Sequence, residues 1–198
     1  MTDAVLCLKV TLADVEPTVL RRIEVPAGIA LDRLHLTLQA ALGWTNSHLY
    51  EIRAGKVGWG LPDPDWPEGM RDGRKAKLAD VLEEAGTKTL RYLYDFGDDW
   101  DHTIEVERSA PPEPGVVYPR LLEASGPCPP EDVGGPPGYA QMLEALADPG
   151  HERHAEMREW LGKDFDPHAF DPERLKAKVG ALAKRWSRKP AAKKAPKA

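Results

Sequence analysis

The sequence has very little cysteine and no long apolar segment. Cys7 and Cys128 are the only cysteines among its 198 residues, and no positively charged stretch precedes an apolar one at the start of the chain. This pattern predicts reduced thiols in a cytoplasmic protein that carries no signal peptide. Because no run approaches the roughly 20 apolar residues that cross a bilayer, we expect no contact with a membrane.

Several signatures of catalysis and of metal binding are also missing. The sequence contains neither a Gly-Xaa-Gly-Xaa-Xaa-Gly loop nor a Walker A motif, which argues against nucleotide-dependent chemistry. It also lacks the Cys-Xaa-Xaa-Cys and His-Xaa-Xaa-Xaa-His pairs of short zinc modules. His151 and His154 are three residues apart on a predicted helix, a spacing that permits shared metal ligation but often arises by chance.

The acidic net charge hides a basic C-terminus. The chain has a formal net charge of −5, yet residues 184–198 hold seven Lys or Arg and no acid. Subtracting these seven charges from −5 leaves −12 for residues 1–183. The body should therefore repel nucleic acid, whereas the tail from Lys184 to Lys197 could bind nucleic acid or an acidic protein. The alternative is a solvated tail that only keeps the protein soluble, and we expect residues 187–198 to be disordered.

Hydrophobic periodicity predicts an α+β fold. Period-two alternation indicates strands that begin with an N-terminal hairpin, and 3.6-residue periodicity indicates one packed helix and a C-terminal group of helices. The predicted strands are 5–12, 18–25, 48–53, 87–96, 100–108 and 120–124, and the predicted helices are 30–42, 78–85, 139–147, 151–161 and 172–186. We interpret residues 1–186 as one domain with a helical part at 139–186, and residues 55–76 as a long loop.

The clearest predicted element is an aromatic hairpin around Gly97-Asp98-Asp99. A three-residue loop fixes which residues face each other across the two strands. The expected pairs are Phe96–Trp100, Tyr94–His102, Tyr92–Ile104 and Leu90–Val106. Since paired residues on alternate positions share one face of a sheet, we expect these eight side chains to be buried together.

Four motifs occur in order along the chain. They are Gly43-Trp44 followed by Ser47-His48-Leu49, Tyr-Asp-Phe-Gly-Asp-Asp-Trp-Asp-His at 94–102, Cys-Pro-Pro-Glu-Asp-Val-Gly-Gly at 128–135, and Trp160-Leu161-Gly162 leading to Phe165-Asp166-Pro167 and Phe170-Asp171. In these motifs the sequence resembles the plasmid pRi "open reading frame three"-like family over about residues 4–175. The resemblance implies a compact α+β domain with a mixed sheet. It also implies an association with plasmids and insertion elements, because members are often labelled TnpR-like passenger proteins.

The resolvase chemistry that this label suggests does not fit the residues. A serine resolvase requires a nucleophilic serine near its N-terminus in a Tyr-Xaa-Arg-Xaa-Ser setting. The first forty residues contain neither serine nor tyrosine. We therefore exclude serine-recombinase catalysis.

Polar residues within these motifs form the candidate site. The residues of interest are His48, Asp98, His102, Cys128, Glu131 and Asp132. The candidate ligands of a divalent metal are His48, Asp98, His102 and Cys128. In a catalytic alternative, Cys128 is a nucleophile and His102 or His48 is its base.

Two further interpretations remain open. In a structural one, Asp98 caps the hairpin turn, His102 is a hydrogen-bonded core histidine, and the two acids bind the amides of residues 133–135. In the other, a small molecule or peptide binds between the hairpin and a predicted proline-rich loop at residues 126–138, with Trp59 or Trp66 as one wall. The binding residues would then be Asp98, Trp100, His102, Glu131, Asp132, Trp59 and Trp66.

Two function hypotheses follow from these observations. The leading one is a non-catalytic accessory or interaction module of plasmids and insertion elements, which binds a protein or a nucleic acid and needs no cofactor. The alternative is a small metal-dependent or cysteine-dependent enzyme, such as a hydrolase, that uses the His/Asp/Cys residues. A divalent metal is the one cofactor that the alternative allows.

Overall fold

The computed structural model, which describes residues 4–62 and 69–187, contains one eight-stranded sheet and five helices. The strands are β1 (Val5–Leu12), β2 (Leu20–Pro26), β3 (Tyr50–Ala54), β4 (Val57–Gly60), β5 (Arg71–Asp72), β6 (Thr89–Tyr94), β7 (Trp100–Ala110) and β8 (Arg120–Ser125). The helices are α1 (Leu31–Leu42), α2 (Leu78–Ala85), α3 (Gly135–Ala147), α4 (His154–Leu161) and α5 (Pro172–Ser187).

The sheet is mixed, which confirms the predicted α+β class. Its strand order is β5-β4-β3-β6-β7-β1-β2-β8. The β4–β5 pair is parallel and the other neighbouring strands are antiparallel. Within the described residues, no helix has the length and apolarity needed to cross a bilayer.

The N-terminal hairpin forms as its alternation predicts. β1 pairs with β2 on one side and with β7 on the other. Leu6, Leu8, Val10 and Leu12 alternate onto one face of β1 and are all buried. Burial of side chains of this size contributes roughly 1.5–3 kcal/mol each, so this strand is a main source of the stability of the sheet.

Helix α1 packs its apolar stripe into the same core. Leu31, Leu34 and Leu38 recur at helical spacing and are completely buried. Gly43 ends the helix with a φ of 100°, a left-handed conformation that favours glycine. Helix α5 contacts both α1 and the edge strand β8, and its N-terminus is capped by Asp171, whose Oδ1 accepts a hydrogen bond from the N–H of Arg174.

Two segments predicted to be loops contain regular structure. Residues 55–76 contribute β4 and β5, so the prediction of one long loop was wrong. Helix α3 begins at Gly135, four residues before the predicted start at residue 139. Pro136 and Pro137 lie in the first turn of α3, where a missing N–H breaks no helical hydrogen bond, so the proline content did not exclude a helix there.

The aromatic hairpin has a different register from the predicted one. The observed pairs are Tyr94–Trp100, Tyr92–His102 and Leu90–Ile104, and the loop has five residues, 95–99, instead of three. This register differs from the predicted one by two residues, which keeps the same side chains on the same face because the side-chain period of a strand is two. The buried face was therefore predicted correctly, except that Phe96 lies in the loop and is exposed and Val106 is half-buried.

Candidate functional site

His102 is a fully buried histidine on β7. Its Nδ1 lies 3.1 Å from the carbonyl oxygens of both Tyr92 and Trp100, so Nδ1 carries the proton and donates it. Burial lowers the pKa of His102 to about 4, and the ring is neutral near pH 7. Among the described residues, Nε2 of His102 has no hydrogen-bond partner. The geometry favours a structural role for this side chain.

Cys128 is not a reactive thiol in this fold. Burial raises the pKa of its thiol to about 12, although the nearby positive charge of Arg21 opposes the shift. A thiol with this pKa is protonated at neutral pH and offers little thiolate for nucleophilic attack. Arg21 is itself buried, and its guanidinium donates hydrogen bonds to four backbone carbonyls, those of Leu20, Ala41, Ser125 and Gly126.

Two of the tryptophans predicted to take part in a binding site are core residues instead. Trp59 on β4 and Trp100 on β7 are both buried in the core. Trp66 lies outside the described residues. Trp44, in contrast, connects two of the motifs, because its Nε1–H donates a hydrogen bond of 2.9 Å to the carbonyl oxygen of Pro129.

Glu131 connects the proline-rich loop to the segment after α1. Its Oε1 accepts a hydrogen bond of 2.5 Å from the hydroxyl of Tyr94, and its Oε2 accepts hydrogen bonds from the N–H and the hydroxyl of Thr45. The Tyr94 oxygen also accepts hydrogen bonds from the N–H groups of Ser47 and His48. These contacts fix the backbone on which His48 is carried. The expected contacts of Glu131 with the amides of residues 133–135 are replaced by this network.

A second buried histidine, His35, supports the same segment. The hydroxyl of Tyr92 accepts a hydrogen bond from Gln39 Nε2. Its own proton is therefore free, and the hydroxyl donates it to His35 Nδ1 at 2.9 Å. His35 Nε2 then donates to Oδ1 of Asn46 at 2.5 Å. Burial lowers the pKa of His35 to about 4. No sequence pattern marks His35 as part of a network, because it lies on α1 beside the apolar stripe.

The hairpin turn is capped by Asp95, and Asp98 has a different role. Asp95 Oδ1 accepts a hydrogen bond of 3.0 Å from the N–H of Gly97. Asp98 Oδ2 instead accepts a hydrogen bond of 3.1 Å from the N–H of Gly134, the residue before α3. A Cβ on Gly135 would lie 2.2 Å from the carbonyl oxygen of Asp98, so the turn and the proline-rich loop are in direct contact and require glycine there.

His48, Asp95 and Asp132 converge where these segments meet, and we call this group the HDD cluster. His48 Nε2 lies 3.5 Å from Oδ2 of Asp95 and 3.2 Å from Oδ1 of Asp132. Neither contact has hydrogen-bond geometry, and Nε2 is buried without a hydrogen-bond partner among the described residues. Asp95 and Asp132 both have left-handed backbones, with φ of 58° and 62°. Asp and Asn adopt this conformation more readily than other non-glycine residues, and Asp14, Asn46 and Asp99 adopt it too.

The HDD cluster has the dimensions of a metal site. One ligand atom from each residue lies within 4.8 Å of the other two. Ligands at about 2.0–2.2 Å from one ion in tetrahedral or octahedral geometry are about 3.0–3.5 Å apart, as the His48 contacts are. Imidazole and carboxylate together suit zinc, manganese or iron. Asp98, His102 and Cys128, which were candidate ligands, are not part of this group, and it is the one group of three or more such ligands in the described part of the chain.

Two clefts adjoin the HDD cluster. Asp132 itself lines a cleft of about 430 Å³ between the proline-rich loop and α4. A second cleft, of about 690 Å³, lies on the outer face of the sheet and is lined by Leu49 and Phe96, the residues that directly follow His48 and Asp95. Leu49, Leu61 and Phe96 are exposed apolar side chains that line this second cleft together. Small ligands bind preferentially in such concavities.

Asp95 was the residue of the cluster that sequence reasoning missed. A strand that continued to Phe96 would place Asp95 on the solvated face of the hairpin. Because β6 ends at Tyr94, Asp95 enters the turn and its carboxylate points towards His48. The signal was the run of turn-forming residues at 95–99, which is long enough for a five-residue loop.

These features define an α+β protein with a mixed sheet and a polar junction of three loops at one end of its aromatic hairpin. The family model described as plasmid pRiA4b ORF-3-like protein matches residues 4–174. The chain therefore belongs to the plasmid pRiA4b ORF-3-like family, as the four motifs predicted.

Two relatives extend this finding. The chain is 54% identical over 190 residues to "Uncharacterized protein y4hQ" of Sinorhizobium fredii (strain NBRC 101917 / NGR234), covering 96% of this chain and 97% of that protein. It is also similar to the crystal structure of a protein of unknown function, MM3350, from Methanosarcina mazei Go1. That similarity has a TM-score of 0.77 and 35% sequence identity, and covers 87% of this chain and 98% of the other.

Proposed function

We propose that this chain is a metal-dependent enzyme that binds one divalent ion at the HDD cluster. The observation that carries the proposal is the position of His48 Nε2, which lies between two carboxylate oxygens without a hydrogen bond to either. A buried imidazole nitrogen without a partner is unfavourable, and a shared cation would satisfy all three groups at once. A cation also relieves the repulsion between two neighbouring carboxylates.

The surroundings of the cluster support hydrolytic chemistry. The cluster supplies three ligands, and a site with three protein ligands leaves coordination positions for water and substrate. The Asp132 side chain is largely exposed, so the ion would be accessible from the cleft that Asp132 lines. A divalent ion in such a position supplies a Lewis acid that lowers the pKa of water. The Tyr94–Glu131 network would position His48 by holding its backbone.

Calorimetric titration can test this proposal. The untagged full-length protein is first stripped of metal with a chelator and is then titrated separately with Zn²⁺ and with Mn²⁺. We expect one ion per chain, and we expect His48→Gln and Asp95→Asn to weaken binding at least tenfold, as loss of one of three ligands should. The matched control is His168→Gln, because His168 is exposed and is not part of the cluster. A wild-type protein that binds no ion, or a His48→Gln variant that binds equally well, would refute the proposal.

Binding of a protein partner is a second candidate function, which the apolar surface of Leu49, Leu61 and Phe96 favours. Exposed apolar patches on soluble proteins often mark interaction sites. In this role the chain would be an accessory module associated with plasmids and insertion elements. Both cysteines are free thiols, which suits a reducing cytoplasm.

A second copy of the chain is the first partner to test, by sedimentation equilibrium. We expect self-association at micromolar concentration that Phe96→Ser abolishes. Val117→Ser is the matched control, since Val117 is also exposed but does not line this cleft. A wild-type protein that remains monomeric would rule out this partner.

The basic tail is a third region that could bind a partner, in this case a nucleic acid. Lys184 and Arg185 lie in the last turn of α5, and the remainder of the tail lies outside the described residues. Nucleic-acid binding through Lys184–Lys197 is supported by the charge count alone, and its test is given below.

A further inference from the structure

The cleft that contains Asp132 has an acidic and aromatic wall on α4. Glu156, Glu159 and Trp160 line this wall, and Met157 and Val133 form apolar parts of the lining. Glu159 and Trp160 lie three and four residues after Glu156, so both are neighbours of Glu156 on the surface of the helix. Trp160 is 48% exposed, which is unusual for a side chain of its size. The cleft therefore combines carboxylates with an accessible indole.

The charges of this wall are not balanced. Among the described residues that line the cleft, Arg153 is the one cation, and its Nε and Nη2 donate to the two carboxylate oxygens of Glu156 at 3.2 and 3.1 Å. Its Nη1 lies 3.4 Å from Oε1 of Gln141. Glu159 forms no ion pair with any residue in the described ranges 4–62 and 69–187, although it is exposed beside Trp160. In the part of the chain that the structure describes, the lining of this cleft thus includes an unpaired carboxylate and no unpaired guanidinium.

We propose that this cleft binds an organic cation, a protonated amine or a guanidinium, at Glu159 and Trp160. Indole faces attract cations through the quadrupole of the ring, and an adjacent carboxylate adds Coulombic attraction. An anionic group would instead meet Glu159 and Asp132 without an unpaired cation to bind it. The inference rests on the proposed function in one respect. A substrate held at Glu159 and Trp160 by its cationic end would extend to the ion, because Asp132 belongs to the HDD cluster and also lines this cleft.

Nuclear magnetic resonance of the full-length protein can test the cleft independently of the metal. The indole N–H resonance of Trp160, assigned with Trp160→Leu, would be followed during titration with butylammonium, butylguanidinium, butyrate and butanol. The titrations would be carried out with chelator and again with Zn²⁺. We expect the two cations to shift this resonance at millimolar concentration, and butyrate and butanol to leave it unchanged.

Variants of exposed residues on the same cleft complete the test. We expect Glu159→Gln to weaken butylammonium binding roughly fivefold, in line with the loss of one carboxylate from a cation site. Glu144→Gln is the control, because Glu144 is exposed on α3 and does not line the cleft. Equal binding of butyrate, or unchanged affinity in Glu159→Gln, would overturn this inference even where Zn²⁺ binds. Loss of Zn²⁺ binding with intact cation binding would overturn only the metal proposal.

Discussion

The hydroxyl of Tyr94 donates to Glu131 Oε1 at 2.5 Å and thereby joins the aromatic hairpin to the proline-rich loop. The same oxygen accepts the N–H groups of Ser47 and His48, at 3.0 and 3.3 Å. One buried hydroxyl on the hairpin that supplies Asp95 thus contacts the two other segments of the HDD cluster. Burial and the neighbouring Glu131 carboxylate both raise the pKa of Tyr94, so the hydroxyl stays protonated and can keep donating.

Tyr94→Phe should therefore weaken both the fold and the ion site. The change leaves two N–H groups and one carboxylate oxygen without their partner, which should lower the free energy of unfolding by roughly 1–3 kcal/mol. We also expect weaker Zn²⁺ binding in calorimetry, because the backbone of His48 is no longer held. Tyr118→Phe is the control, since the Tyr118 hydroxyl accepts one exposed hydrogen bond from the N–H of Glu113. Unchanged Zn²⁺ affinity in Tyr94→Phe would show that the network does not position His48.

Trp100→Ala should destabilise the protein by roughly 3–5 kcal/mol, as truncation of a fully buried aromatic side chain does. Urea unfolding measures the effect. Trp160→Ala is the matched control, and its cost should stay below about 1 kcal/mol because Trp160 is half exposed. Equal losses in the two variants would contradict the buried position of Trp100.

His102→Gln should cost stability and leave metal binding intact. Nδ1 of His102 contacts the carbonyl oxygens of both Tyr92 and Trp100, and a glutamine amide can replace only one of these contacts. We therefore expect the free energy of unfolding, measured in urea, to fall by about 1–3 kcal/mol. The same variant should bind Zn²⁺ as the wild type does, because His102 is not in the HDD cluster. A folded His102→Gln protein that has lost its metal would assign His102 to the site.

Stability should fall as the pH drops from about 6.5 to 4. His35 and His102 have pKa values lowered to about 4 by burial, whereas histidine in an unfolded chain titrates near about 6.5. Between these values the unfolded chain binds more protons than the folded one, so acid favours unfolding by up to roughly 3 kcal/mol per histidine. Urea unfolding at a series of pH values should show this slope.

Variants can assign that pH dependence. Above pH 5, where most carboxylates remain ionised, we expect His102→Gln to remove about half of the slope. His168→Gln should leave the slope unchanged, because His168 is exposed. The same slope in wild type and His102→Gln would mean that other groups cause the acid sensitivity.

Truncation after Ser187 should leave the melting temperature within about two degrees of the intact protein, since residues 188–198 have no apolar stripe.

If the intact chain binds duplex DNA, the chain truncated after Ser187 should lose most of that affinity, and binding should weaken steeply with salt. Filter binding at two salt concentrations measures this. Equal DNA binding by both proteins would place the nucleic-acid surface elsewhere.

The fold was largely predictable because its strands and helices carry strong periodic patterns. The alternation of β1 and the stripe of α1 each specify a buried face, and the same side chains fill the core. The register of the aromatic hairpin was less predictable. A hairpin with a three-residue loop and one with a five-residue loop place the same side chains on the buried face. Which of the two registers forms depends on whether Asp95 can adopt a left-handed conformation.

The candidate site was predictable only in part. His48 and Asp132 were recognised as polar residues of the motifs, but their partner Asp95 was assigned to the solvated face of a strand. His102 and Cys128 have the residue types of a metal site, yet His102 is fully buried in the core and Cys128 is half-buried against it, and neither joins the HDD cluster. Which polar residues meet depends on how three distant loops pack, and no local pattern contains that information.

The three proposed ligands of the HDD cluster come from segments that are close together only in the folded chain. An ion that binds there would select the native state and add a free energy that grows with its concentration, about 2.7 kcal/mol at one hundred times the dissociation constant. The amount of this protein in a cell would then follow the supply of the metal, because chains made without it would unfold and be degraded more often. In that case a shortage of the metal would lower the amount of the folded protein.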